Sequence, residues 1–506
     1  MFENKKVLLI NTPAYDSDKL AFLPLAISYL AASLKKAGFK CDILDTNLEN
    51  TSQDDVVKQA LQCDFICISS DAFVFPYSDT YAFPYVASLA SKIKSVRNIP
   101  IALMGTHATF KHSEIIQQYT IFDVIVRGEG ETPVTELCRD FFKNNAFSKL
   151  LPCVTYLSFQ GSIRIAEDIH YETDLNALSF PFRHKQEQYL YDRLPDGSLK
   201  IYIPVLTSRG CPYGCSYCTA TVFKRKWTAR SSENVAEEVY ALYKEYGNLF
   251  IKFVDDNFYI DPIRAKEILQ KIAEKCGKIF DFSFCTRADQ IVNNGMENLR
   301  FFKDYGCNNI EIGIENGSDV TLKNYSKNTT VRQNLQAISM VRNAGMSPAI
   351  DFILFEPETT MEDLKANVVF FRVSKLWGYY KPLIYSRLFP LMGTIYEKYR
   401  EINCDQYFSN ANVYGIYQSV HLFKDEFQNL LDDLIHKADS RFHSDGKMAI
   451  TKRQYLWLRT IPYQYFSELV DNAEKGGDSL LYMQEFSRNN NMRHHIDNIQ
   501  EALFDS

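Results

Sequence analysis

No apolar run in this 506-residue chain approaches the ~18 residues needed to cross a bilayer, which argues against a membrane-spanning protein. The opening Met1-Phe-Glu-Asn-Lys-Lys6 leads straight into Val7-Leu-Leu-Ile10, too short for a signal peptide and suited to a first strand. Long basic runs are missing too. Lys224-Arg-Lys226 reads as a solvated loop and the net charge is −6, so nucleic acid is not the expected partner. Of twelve cysteines, nine are scattered without regular spacing, which speaks against a disulfide framework and fits a reducing cytoplasm. No GxGxxG dinucleotide loop follows any predicted strand of the first 145 residues.

What is present organises itself around Thr207-Ser-Arg-Gly-Cys-Pro-Tyr-Gly-Cys-Ser-Tyr-Cys-Thr219, which gathers the remaining three cysteines, Cys211, Cys215 and Cys218. Thiolates spaced C-x3-C-x2-C, with Gly210 and Gly214 letting the backbone wrap, can reach three corners of one [4Fe-4S] cube and leave its fourth iron open for chemistry. Structural zinc wants four closed ligands, and no second Cys or Cys/His pair at such spacing follows.

With 46% hydrophobic residues the chain can bury large cores, and its length predicts more than one domain. Through residue 150, short apolar strands at 7–10, 41–45, 65–69, 100–104 and 122–126 alternate with helical patterns, predicting a Rossmann-like, doubly wound parallel sheet. Such sheets bind ligands beyond the carboxyl ends of their strands. Ser69, Ser70, Gly105, Thr106, Gly128 and Gly130 lie at those ends, small enough to let backbone approach a large flat ligand, though equally ordinary turn residues.

Residues 151–199 read as an irregular linker carrying little chemistry. From 200 to 400, strand and helix alternate six times, with strands at 201–206, 249–254, 280–285, 310–314, 350–355 and 383–389, which predicts a partial (β/α)6 TIM-type barrel. Its active face is the carboxyl end of the strands, where the cysteine loop follows strand one. Polar strand ends surround that mouth: Asp255-Asp-Asn-Phe258, Thr286-Arg-Ala-Asp289 and Ile312-Gly-Ile-Glu-Asn-Gly-Ser-Asp319. Carboxylates there accept hydrogen bonds from hydroxyls and stabilise nearby positive charge. Residues 401–506 are helical in pattern and rich in aromatics (Tyr407, Tyr414, Tyr417, Tyr455, Tyr463, Tyr465), expected mostly to pack on the barrel.

CxxxCxxC with Tyr217 before the last cysteine resembles the cluster loop of the radical S-adenosylmethionine (SAM) superfamily. The helix Leu23-Pro-Leu-Ala-Ile-Ser-Tyr-Leu30, Met104-Gly-Thr-His-Ala-Thr109 and Val126-Arg-Gly-Glu-Gly-Glu131 together resemble the cobalamin-binding domain of cobalamin-dependent radical SAM enzymes. The resemblance implies three cofactors: a [4Fe-4S] cluster on Cys211, Cys215 and Cys218; SAM near Tyr217, Asp255, Asp256, Glu315, Asn316 and Arg387; and cobalamin near Ser69, Ser70, Gly105, Thr106, His107, Gly128, Glu129 and Gly130. In that family SAM chelates the open iron, and an electron from the cluster splits it to a 5′-deoxyadenosyl radical. The DxHxxG loop of the wider cobalamin fold is missing, its nearest string being Asp16-Ser-Asp-Lys-Leu-Ala21, so no histidine is expected below cobalt; Phe73-Val-Phe-Pro-Tyr77 is a candidate cover. Phe355-Glu-Pro-Glu-Thr-Thr360 departs from the family's GxPGET string.

The implied activity is methyl transfer from methylcobalamin to an unactivated carbon of a small molecule or peptide, fed electrons by a flavodoxin or ferredoxin. Cyclisation or rearrangement with the same cofactors is the alternative. Methylthiotransfer would need a second three-cysteine site, and Cys41, Cys63, Cys67 and Cys138 lack the spacing. A binding protein without turnover would have little use for an intact cysteine triad.

Overall fold

The computed structural model describes residues 2–12, 22–49, 51–70, 79–148, 151–157, 162–194, 198–223, 226–377, 379, 383–400, 402, 404–439 and 459–488. Strings 16–21 and 73–77 and Tyr455 lie outside them. The first sheet comprises β1 (Lys6–Asn11), β2 (Lys40–Asp45), β3 (Phe65–Ser69), β4 (Ile101–Met104), β5 (Val124–Val126), β6 (Val154–Leu157) and β7 (Ile163–Arg164) in the order β2-β1-β3-β4-β5-β6-β7. The first five are parallel, as the fully buried runs in β1, β3, β4 and β5 require when helices cover both faces. Because β1 lies between β2 and β3, the chain reverses direction at the β1/β3 boundary, and a crevice opens at the ends Asn11 and Ser69.

Three short strands lie within the expected linker. β6 and β7 extend the first sheet antiparallel, and β8 (Tyr191–Arg193) pairs antiparallel with the first barrel strand, β9 (Leu199–Val205). The ribbon β10 (Ser208–Arg209) and β11 (Thr228–Ala229) comes next, and the barrel sheet continues through β12 (Asn248–Phe253), β13 (Asp281–Arg287), β14 (Cys307–Glu315) and β15 (Ser347–Phe352). From β9 to β15 its pairs are parallel. Alternation sends Ile251, Phe253, Phe282, Phe284, Ile310 and Ile312 into the apolar core and leaves Lys252, Cys285 and Glu311 on the opposite, lumen face.

The sixth strand expected at 383–389 is a correction: Leu383–Tyr385 is a single 3-10 turn, and only Phe355 and Arg387 make a parallel bridge. The Ser386 hydroxyl explains the lost ladder. It donates to Leu383 O and accepts from Leu354 N, taking up groups a strand would pair. Helices Ala411–Asp439, Ile461–Glu474 and Ser479–Arg488 follow, and their buried Tyr417, Tyr463, Tyr465 and Phe466 share one core with the barrel. No helix among the described residues is long and apolar enough to cross a membrane.

Candidate active site

Antiparallel pairing of Ser208 with Ala229 and Arg209 with Thr228 closes the intervening chain, including all three cysteines of the motif, into one loop at the barrel mouth. Its entrance is fixed by the end of β12. Asp255, buried, accepts from Thr207 N (3.3 Å), Thr207 Oγ1 (2.9 Å) and Ser208 Oγ (2.5 Å), while Asp256 Oδ2 accepts from Gly210 N (3.0 Å). Gly210 takes φ +82°, a conformation that suits glycine. Asp255, expected near SAM, therefore points its oxygens at the loop that carries the cysteines. Burial pushes its carboxyl above the ordinary value, and the hydroxyl donors of Ser208 and Thr207 oppose that.

Cys211 and Cys215 are buried and Cys218 is half-buried. Burial raises the Cys211 thiol and pushes Cys218 up to about 12, so metal binding at this loop must displace protons. Arg287, at the end of β13, places Nη1 3.5 Å from Cys215 Sγ. Its guanidinium is held by Asp289 (2.9 and 3.2 Å) and by Lys327 O (2.5 Å), and stacks 3.9 Å from the Tyr213 ring centroid.

Beneath the loop, Glu315 Oε1 pairs with Lys327 Nζ at 2.7 Å, and the same ammonium donates to Tyr217 OH at 3.2 Å. Glu315 and Lys327 are buried, and Tyr217 is half-buried. Burial works against the Lys327 charge, yet Glu315 outweighs it and holds the pKa above the ordinary lysine value. Glu315 sits at φ +65°, where the β14/β15 register shifts. A Cβ at Gly313 would fall 2.6 Å from Glu315 Oε1 and 2.7 Å from Lys327 Nζ, so glycine there makes room for the ion pair. Asn316 is structural: its amide donates to Ile353 O and its oxygen accepts from Ser318 N and Asn367 Nδ2. Arg387 donates to Tyr417 OH at 3.1 Å.

In the first domain, Ser69, Ser70, Gly105 and Thr106 gather at the carboxyl ends of β3 and β4. Ser69 O accepts from Thr12 Oγ1, and Ser70 Oγ donates to Met104 O and accepts from Ala108 N. Gly105, at φ +118°, begins the helix Thr106–Gln118, and His107 lies edge-on to Phe83 at 4.7 Å. Gly128 and Glu129 behave otherwise. A Cβ at Gly128 would lie 2.1 Å from His170 O, and Glu129 Oε2 accepts from Glu172 N (2.5 Å) and faces Arg209 Nη1 (3.4 Å). Glu131 Oε1 receives Arg209 Nη2 at 2.6 Å. The loop expected to touch the corrin thus turns two carboxylates toward the cysteine loop, and Gly130 lies against the Met104 side chain.

The B12 binding domain family matches residues 16–138 and the Radical SAM superfamily matches 205–370. The chain belongs to the cobalamin-dependent radical SAM enzymes. An uncharacterized methyltransferase of Pyrococcus horikoshii is 27% identical over 375 residues, covering 72% of this chain and 77% of that protein. The anaerobic magnesium-protoporphyrin IX monomethyl ester cyclase of Cereibacter sphaeroides is 26% identical over 380 residues, 72% of this chain and 60% of the cyclase. The structure of the cobalamin-dependent radical enzyme OxsB, with aqua-cobalamin and SAM bound, superposes with a TM-score of 0.74 at 19% identity, covering 96% of this chain and 75% of OxsB, and so shares the fold.

This radical SAM enzyme uses a [4Fe-4S] cluster, SAM and cobalamin, and its residues fit them. Three thiols share one loop with a guanidinium at the Sγ of the second. The buried Glu315 carboxylate is joined through Lys327 to the loop's own Tyr217, and small residues line the β3/β4 ends of the first sheet. Sequence reasoning missed Lys327, which the chain places twelve residues after Glu315 with no spacing signal, and it assigned no role to Arg209 or Arg287. Arg209 stands inside the cysteine motif and Arg287 inside the strand-end string, where each was legible by position but not by partner.

Proposed function

We propose that this enzyme transfers a methyl group to an unactivated carbon of a small molecule, using both cofactor sites in one chamber. Together the bound groups supply hydrogen-atom abstraction from carbon and a methyl group for the carbon so activated. The observation that carries the reading is the pairing of Arg209, two residues before Cys211, with Glu129 and Glu131 at the end of β5. It joins the ligand-facing end of the first sheet to the mouth of the barrel, so a substrate between them meets both.

The chain's own residues have distinct tasks in this reading. Cys211, Cys215 and Cys218 hold the cluster. Glu315 and Tyr217 stand where SAM hydroxyls would be held, with Lys327 Nζ fixing Glu315 Oε1 from 2.7 Å. Ser69, Ser70, Gly105, Thr106 and His107 cradle the corrin and its tail, and the lumen row Lys252, Cys285, Glu311 and Asp351 supplies a polar floor. Apolar side chains behind the sheet exclude water. A flavodoxin or ferredoxin provides electrons, and the described cysteines, all free thiols, suit the cytoplasm.

Kinship with the cyclase favours a second reading, ring formation with the same cofactors. Methylthiotransfer is set aside because Cys41, Cys67 and Cys138 lie in the apolar core of the first domain. To separate the two readings, reconstituted and reduced enzyme is incubated with SAM alone. Methyl transfer predicts S-adenosylhomocysteine and methylcobalamin; 5′-deoxyadenosine without either product would sink it and leave ring formation.

A further inference from the structure

We infer that Arg209 is a positioning residue that locks the cysteine loop to the first domain and so sets the separation between cluster and cobalamin. In this assignment Glu129 and Glu131 act on the iron site rather than on the corrin. The inference rests on the two-cofactor reading above.

Arg209 occupies β10, at the neck of the ribbon that closes the cysteine loop, and only Gly210 separates it from Cys211. Its side chain is buried against Glu131 (2.6 Å) and Glu129 (3.4 Å), and its guanidinium lies 5.1 Å from the Tyr29 ring centroid. A largely desolvated cation between two carboxylates has one low-energy position, because moving it leaves charge without a partner.

The carboxylates are themselves immobilised. Gly128 abuts His170 O, Glu129 N donates to the same oxygen at 2.9 Å, and Glu129 Oε2 is held by Glu172 N. Glu131 opens the helix Glu131–Asn144, where the positive end of the helix dipole favours a carboxylate.

A second tie runs beside the first. Arg230, immediately after β11, donates to Tyr29 OH (3.2 Å) in the helix Leu25–Lys36 and to Glu238 Oε2 (2.5 Å). Both sides of the ribbon are therefore anchored to the first domain, Arg209 by charge and Arg230 by a hydrogen bond. Only Gly210 lies between Arg209 and Cys211, and its N–H is itself held by Asp256 Oδ2 at 3.0 Å, so the fixed neck of the ribbon ends next to the first cysteine.

The test uses full-length protein loaded with cluster and hydroxocobalamin, then reduced so that cobalt(II) and the reduced cluster are both paramagnetic. Pulsed electron paramagnetic resonance reads the dipolar coupling between them. Wild type should give one narrow distance distribution. Arg209→Ala and the isosteric pair Glu129→Gln/Glu131→Gln should broaden it and shift it to longer separation, and Arg209→Lys should restore part of the narrowing. An unchanged distribution in variants that keep wild-type cluster and corrin absorbance would overturn the inference. So would failure of all three variants to fold, because the contact would then serve the fold alone. Missing corrin absorbance in the wild type would overturn the cobalamin reading itself, and is told apart by that absorbance.

Discussion

The buried guanidinium of Arg287 places Nη1 3.5 Å from Cys215 Sγ, the second cysteine of the motif. A donor aimed at a ligating sulfur stabilises the more negative, reduced cluster and raises its potential.

Replacing Arg287 by Met should therefore make the cluster harder to reduce. A tenfold change in the reduced-to-oxidised ratio corresponds to about 59 mV for one electron, and a fall of that order in the midpoint is the expected result of a potentiometric titration. Arg287→Lys should recover part of it, whereas an unchanged midpoint would show that the guanidinium only braces Asp289 and Lys327 O.

Lys327 and Glu315 form a buried pair, so removing one charge strands the other. Lys327→Met should cost about 3–5 kcal/mol of stability, read as a lowered thermal midpoint. The double variant Lys327→Met/Glu315→Gln should recover much of that loss yet bind SAM more weakly than wild type if, as proposed, this carboxylate holds SAM hydroxyls. Equal SAM affinity in wild type and double variant would remove Glu315 from the site.

Asp255 receives three donors from Thr207 and Ser208. Asp255→Asn turns one acceptor oxygen into a donor facing another donor, at about 1–3 kcal/mol for the unsatisfied group. Iron content after reconstitution should drop while far-ultraviolet dichroism stays near wild type. Full iron occupancy would mean that β10 and β11 suffice to hold the loop.

Glu356 carries a pH dependence. Burial lifts its carboxyl from 4.5 to about 7, and its Oε2 accepts from Glu358 N. Between those values the folded chain binds a proton that the unfolded chain has released, so this contribution is complete below 4.5 and is lost as pH rises through 7. Its size is about 3 kcal/mol. In thermal scans from pH 5 to 8.5, wild type should lose midpoint relative to Glu356→Gln as pH increases; parallel curves would contradict the burial argument.

Much of this architecture was legible because it is written in local periodicity. The strand at Phe65–Ser69 coincides with the expected bounds, and local signals also mark the helix Pro262–Cys276, where Asp261 accepts from Ile263 N and Arg264 N. Where side chains compete with backbone, local pattern failed: 383–389 is apolar enough for a strand, but Ser386 and the Tyr463 hydroxyl on Leu383 N divert its hydrogen bonds. The linker's strands escaped notice because β6 and β8 gain their stability from edges of sheets built elsewhere in the chain.

The site divides in the same way. Spacing alone determined the three cysteines, since ligands within eight residues need only a flexible loop to converge. Gly313 and Glu315 were also marked by a local string. What tertiary structure decided was the direction each carboxylate faces. Asp255 turns to Thr207 across forty-eight residues, Glu131 to Arg209 across seventy-eight, and Glu315 to Lys327 across a bend. A buried charge must find its counter-charge wherever the fold brings one, and that choice is made by packing, not by sequence neighbours.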